Sequence, residues 1–286
     1  MDLKKSSWFV LLSYLILFAL ACEKEEDIIP INKETEHFIL ITNSQLSSNH
    51  EIDEVLERAE VLYTKILQEL GESHRPQNKI TIRLEGIFEE ESPYFDNLGI
   101  HLFRYSRSEG GYLSALAHEM VHAFHEGYYI QYDPYSWENY PYLDEGFAEY
   151  VAQLVDGSKT GFPWYGYNEF AIVGNLVLSE NWIPHHILRE QHFEINDPCN
   201  IQAYTQRSSW MRYIDETYGR DTLLILNYPE AAPTDDFFIN TLGVNLPTVD
   251  SSWESWVIEK YNSTPLASEI AEAFHERTSW YSHCEF

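Results

Sequence analysis

The chain has 286 residues, with 18 basic against 46 acidic side chains and a formal net charge of −28. Hydrophobic residues make up 44% of it and charged residues 22%, so a folded core is expected rather than disorder. The acidic balance excludes a nucleic-acid-binding role, because such a surface repels phosphate backbones, and it argues against attraction of the protein's own surface to anionic lipid.

At the N-terminus, Lys4 and Lys5 precede an apolar stretch from Trp8 to Ala21. That stretch is shorter than the roughly 20 residues a membrane-spanning helix needs, and has the form of a secretory signal. It ends Ala19-Leu20-Ala21-Cys22, which resembles a bacterial lipobox. The resemblance implies that residues 1–21 are removed and that Cys22 is acylated, tying the protein by lipid to a membrane, at the outer membrane or cell surface. Glu23-Lys24-Glu25-Glu26-Asp27 then resembles the acidic export tag of Bacteroidota lipoproteins, and reads equally as a solvated tether. The tether is expected over residues 22–36, with one folded domain over 37–286. Cys199 and Cys284 can pair in an oxidising compartment or stay as buried thiols; the sequence leaves both open.

Within the domain, Phe38 to Ile41 reads as a strand. Ile52, Val55, Leu56, Ala59, Leu62, Ile66, Leu67 and Leu70 follow at helical spacing, with Gly71 as the stop. Ile80, Ile82 and Leu84 alternate with polar residues as in a half-buried strand, and Ile100 to Phe103 reads as another. Beyond Tyr112 the pattern is helical, with helices predicted over Leu113–His125, Leu143–Val155, Phe170–Leu178, Arg207–Tyr218 and Trp253–Lys260. The fold class is therefore α+β, a small mixed α/β half over 37–126 and a mainly helical half over 127–286. The stretch from Gly127 to Tyr142 is rich in Tyr, holds Trp137, Pro134 and Pro141, and reads as an irregular loop, either packed on the surface or forming a lid.

The chemistry centres on His118-Glu119-Met120-Val121-His122. Residues four apart share one face of a helix, so both imidazoles can point at one ion. Zinc accepts neutral imidazole nitrogen and carboxylate oxygen in a tetrahedral shell. Glu119, one step round the helix, stands where a general base for an activated water belongs. Leu116, Ala117, Met120, Val121 and Phe124 supply the helix's apolar face. A third ligand is available in Asp144-Glu145-Gly146-Phe147-Ala148-Glu149-Tyr150, where Glu145 and Glu149 lie one turn apart. One can bind metal while the other supports a ligand imidazole, unless the pair forms a solvated helical face. Gly146 would allow a close helix–helix approach.

The two segments together resemble the gluzincin metallopeptidases, which include thermolysin-like and aminopeptidase N-like enzymes, and the resemblance implies a zincin-like fold. It implies one zinc ion per chain on His118, His122 and Glu145, Glu119 as the catalytic base, and Glu149 supporting His118. Asp144 stands where the aminopeptidases usually have Asn. Trp182-Ile183-Pro184, Ala203-Tyr204 and Tyr218-Gly219 extend the similarity, which implies Tyr204 as an oxyanion-stabilising group, with His185 and His186, otherwise surface histidines, as second choices. The family's Lys-Gly after that tyrosine is absent, as is the Gly-x-Met-Glu-Asn motif that reads a free amino terminus. An edge strand that pairs with substrate would correspond to Ile100 to Phe103, with Ile100 and Leu102 as substrate-binding residues. The implied function is zinc-dependent hydrolysis of a peptide or protein substrate. Two other readings stand beside it: an idle surface protein that binds peptide or glycan on a peptidase scaffold, and a structural zinc site bracing two helices.

Overall fold

A computed structural model describes residues 30–43, 47–85, 93–103, 112–132, 141–156, 167–191, 193, 199–228 and 234–278. The order is β1 (Pro30–Glu34), β2 (Phe38–Asn43), α1 (Asn49–Leu70), β3 (Ile80–Glu85), β4 (Tyr94–Asp96), β5 (Gly99–Phe103), α2 (Tyr112–Tyr132) and α3 (Pro141–Asp156). Then come α4 (Glu169–Leu178), α5 (His185–Glu190), α6 (Asn200–Tyr218), α7 (Arg220–Asn227), α8 (Asp235–Leu242), α9 (Leu246–Ser263) and α10 (Ala267–Thr278). This is a mixed fold of helices around a small five-stranded sheet. No helix among the described residues is long and apolar enough to cross a membrane.

The strands lie in the order β1-β2-β3-β5-β4, with β2, β3 and β5 parallel and the outer strands antiparallel to their neighbours. Alternation does the sorting: Phe38 and Leu40 on β2, Ile82 and Leu84 on β3, and Ile100 and Leu102 on β5 are buried in one core with α1 and α2. The α1 stripe of Ile52, Val55, Leu56, Ala59, Leu62 and Ile66 covers them as the periodicity predicts. Ser48 caps its start by accepting from the Glu51 amide at 3.2 Å, and Gly71 ends it at φ +89°, a conformation that favours glycine. One side of α2 therefore lies on the sheet core, and α3 packs against the same helix.

Several expectations change. The sheet begins at Pro30, inside the stretch read as tether, because Ile31 packs on the core and the whole of β1 pairs with β2. Ile100 to Phe103 is a strand but not an edge: β5 lies between β3 and β4, and Ile100 and Leu102 are fully buried, so neither can meet a substrate backbone. Gly127 to Tyr132 continues α2 rather than opening a loop, whereas residues 133–140 lie outside the described set. The α6 helix starts at Asn200, before the predicted Arg207, because it is buried on nearly every side and so carries no amphipathic signature. Polar side chains in its first turns are satisfied internally: Gln206 Oε1 accepts from the Ile183 amide at 2.8 Å, and Thr205 donates to the Ile201 carbonyl at 2.7 Å. Cys199, just before α6, is disulfide-bonded; Cys22 and Cys284 lie outside the described residues, as does the proposed signal segment.

Candidate metal centre

Helix α2 brings His118 and His122 onto one face, and α3 crosses it with Glu145. His118 Nε2 lies 3.1 Å from His122 Nε2 and 3.1 Å from Glu145 Oε2, and His122 Nε2 lies 3.5 Å from that same oxygen. Ligands at zinc's usual bond lengths sit at the corners of a tetrahedron with edges of about 3.3 Å. The triangle therefore fits a metal ion of this kind with a fourth corner left over. The three residues form a group able to hold a metal ion.

Each ring has a carboxylate behind it. His118 Nδ1 faces Glu149 Oε2 at 3.2 Å, and His122 Nδ1 faces Asp144 Oδ1 at 3.0 Å. With Nδ1 facing an acid, the neutral form of each ring carries its lone pair on Nε2, pointing at the shared centre. His125 Nδ1 also meets Asp144 Oδ1, at 3.2 Å, and its ring stacks on Phe147 at 5.1 Å. Asp144 thus serves two imidazoles from one oxygen, and as a charged acceptor it binds both more strongly than the neutral carbonyl of an asparagine would.

Electrostatics follow from burial. Burial alone would lower the His118 pKa, but its hydrogen bonds to Glu145 and Glu149 outweigh that and hold it at about 9. His122 is likewise raised, with burial opposed by Asp144 and Glu145. Burial would raise Asp144 and Glu145, yet the charge of His122 holds both carboxyls well below the usual range. Glu119, 6% exposed, is raised by burial, against the pull of His118 and His122. Tyr204 on α6 places its ring 5.7 Å from that of His118, and its hydroxyl is pushed up by burial and then by the charge of Glu145.

The expected residues His118, Glu119, His122, Glu145, Glu149 and Tyr204 therefore share one neighbourhood. Ile100 and Leu102 do not reach it from inside the sheet core. His185 is not on the surface. It is buried on α5, its ring 5.0 Å from Trp182 and 5.0 Å from Trp253, and His186 alone of that pair is exposed. Gly146 does allow a close approach, but to α6 rather than α2: a Cβ there would lie 2.8 Å from the Arg207 Cβ. Sequence reasoning missed His125 and the bracing role of Asp144. The available signal was that His125 stands three residues after His122, on the same side of the helix. The chain matches no protein-family model and no curated protein sequence.

Proposed function

We propose that the chain is a zinc-dependent metallopeptidase of the gluzincin type, holding one zinc ion on His118, His122 and Glu145. The observation that carries the reading is the tetrahedral-edge spacing of their three donor atoms, with a carboxylate behind each imidazole. Three protein ligands leave a coordination position open, as catalytic sites do and closed structural sites do not. A bound zinc ion would supply a water of lowered pKa and polarise a substrate carbonyl.

The chain's own groups divide the remaining work. Glu119 takes a proton from the water that attacks the peptide carbonyl and returns it to the leaving amine as the C–N bond breaks. Tyr204 directs its hydroxyl towards the negative charge that develops on the carbonyl oxygen. Asp144 and Glu149 hold the two imidazoles in the tautomer that faces the centre. In the same reading, lipid on Cys22 ties the enzyme to the cell envelope.

Metal analysis by mass spectrometry of protein beginning after Cys22, with His122→Ala beside it, tests the site. About one zinc per chain, lost in the variant, is expected from a ligand set of this kind. Glu119→Gln should keep the zinc and abolish hydrolysis of a peptide library. Full activity in that variant refutes the role of Glu119. Zinc bound in the parent protein with no peptide cleaved would favour the idle binding scaffold instead.

A further inference from the structure

Behind Glu149 the polar chain does not stop. Its second oxygen, Oε1, accepts from Gln153 Nε2 at 3.4 Å, one turn further along α3. Gln153 Oε1 accepts in turn from Arg212 Nη2 on α6 at 2.6 Å, and Arg212 Nε donates to Glu169 Oε2 on α4 at 2.9 Å. Glu149, Gln153 and Glu169 are fully buried, and Arg212 is 3% exposed. Its guanidinium lies between the rings of Tyr150, at 5.1 Å, and Phe170, at 5.7 Å.

The line has a direction. Arginine can only donate, so the Gln153 oxygen must face Arg212 and its amide NH₂ must face Glu149. Glu149 then accepts on both oxygens, and its partner on the far side, His118 Nδ1, must be the donor. In the neutral ring the His118 lone pair is thereby left on Nε2, towards His122 and Glu145. A buried carboxylate also needs a compensating charge, and Arg212 brings one within reach of two such groups, Glu169 directly and Glu149 through the amide.

We propose that Gln153 and Arg212 are positioning residues for His118, fixing through Glu149 the tautomer that presents Nε2 to the metal. The inference rests on the metal-binding reading of the site and adds to it two residues that touch neither metal nor substrate.

The test compares the full chain beginning after Cys22 with Gln153→Met, Arg212→Lys and Tyr150→Phe. Zinc affinity is read by competition with a chromophoric chelator, and ligand geometry by the visible bands of the cobalt-loaded form. Gln153→Met cuts the line while leaving the Arg212–Glu169 pair in place. Arg212→Lys keeps the charge but cannot reach both partners, because an ammonium lacks the planar fork. Zinc affinity should fall about tenfold to a hundredfold in Gln153→Met, with shifted cobalt bands, and fall also in Arg212→Lys. Tyr150→Phe keeps the ring beside Arg212 and removes only the α3 hydroxyl bonded at 2.5 Å to Asp215 on α6, which takes no part in the hydrogen-bonded line, and should leave affinity and bands unchanged while lowering stability. Unchanged affinity and bands in Gln153→Met overturn the proposal. If that variant does not fold, the same result in Arg212→Lys does so. An equal loss in Tyr150→Phe overturns it too, since general loosening would then explain the effect. Absence of zinc binding in the parent protein overturns the metal reading itself, whereas binding that ignores these variants overturns only the inference.

Discussion

Gly146 and Gly174 face the same steric problem in different places, and replacing each with alanine separates packing from site geometry. At Gly146 an added Cβ would lie 2.8 Å from the Arg207 Cβ and 3.1 Å from its carbonyl oxygen; at Gly174 it would lie 2.4 Å from the Tyr261 Cβ. Alanine is intrinsically better in a helix interior by up to about 1 kcal/mol, but overpacking a fixed contact costs about 1–3 kcal/mol. Arg207 cannot easily retreat, because Nη2 donates to the Leu188 carbonyl at 3.0 Å and to the Gln191 carbonyl at 2.6 Å. Overpacking therefore wins, and each variant should lose about 1 kcal/mol, or roughly 2–4 °C in Tm. Only Gly146→Ala strains the position next to a proposed ligand, Glu145, so it alone should weaken zinc binding, by about tenfold if the shift acts like loss of a ligand's support. Urea titration of the metal-free proteins and chelator competition would measure the two effects. A more stable Gly146→Ala, or an equal loss of zinc affinity in both variants, would refute the reasoning.

Zinc at a hundredfold excess over its Kd should stabilise the fold by about 2.7 kcal/mol, and chelation should reverse this in a thermal scan. Asp144→Asn replaces the charged oxygen shared by two N–H donors with a neutral one, so zinc affinity should drop and be partly restored by adding His125→Phe, which leaves that oxygen to His122 alone; independent effects of the two changes, measured by chelator competition, would contradict the shared acceptor. His185 gives a pH signature remote from the site. Burial, then the charge of Arg189, lowers its pKa to about 3. Asp250 Oδ1 at 3.5 Å would favour the charged ring, but it is too distant for a strong hydrogen bond and Asp250 already pairs with Arg189. The unfolded chain takes up this proton near its ordinary value of about 6.5, the folded chain only at about 3. The contribution is therefore complete above that upper value and is lost as pH falls through the window. Relative to His185→Phe, the parent should lose up to about 2 kcal/mol in urea titrations near pH 5 compared with neutrality. Parallel pH profiles would rule this out.

The proposed ligand set was legible because a helix turns local spacing into geometry: His118 and His122, and Glu145 and Glu149, were paired by the repeat alone. The strands of the parallel core were equally legible from Phe38, Leu40, Ile82 and Leu84. The order of strands was not, since β4 follows β3 in sequence but pairs outside β5, and nothing in a five-residue apolar run says whether it is an edge. Helix α6 hid its start because burial on all sides removes the polar stripe that marks a helix surface. Gln153, Glu169 and Arg212 are buried polar residues that carry no local signal of their burial. Their roles depend on partners as many as 59 positions away, which no local pattern records.

The proposed metal ligands lie on α2 and α3, and α3 packs most extensively against α6. Arg207 meets Gly146, and Arg212 reaches Gln153 two turns later; the ligand Glu145 and the supporting Glu149 lie between or beside these two points. If α6 acts as the template that sets where α3 lies over α2, Gly146→Ala and Gln153→Met disturb one shared alignment. Their effects on zinc affinity should then fail to multiply, the double variant losing less than the product of the single losses. Contacts that act separately would instead add within about 0.3–0.5 kcal/mol, the usual tolerance for independent sites. A double-mutant cycle on the zinc dissociation constant decides the matter, and simple additivity would mean that each residue acts on its own ligand, with α6 merely packing beside them.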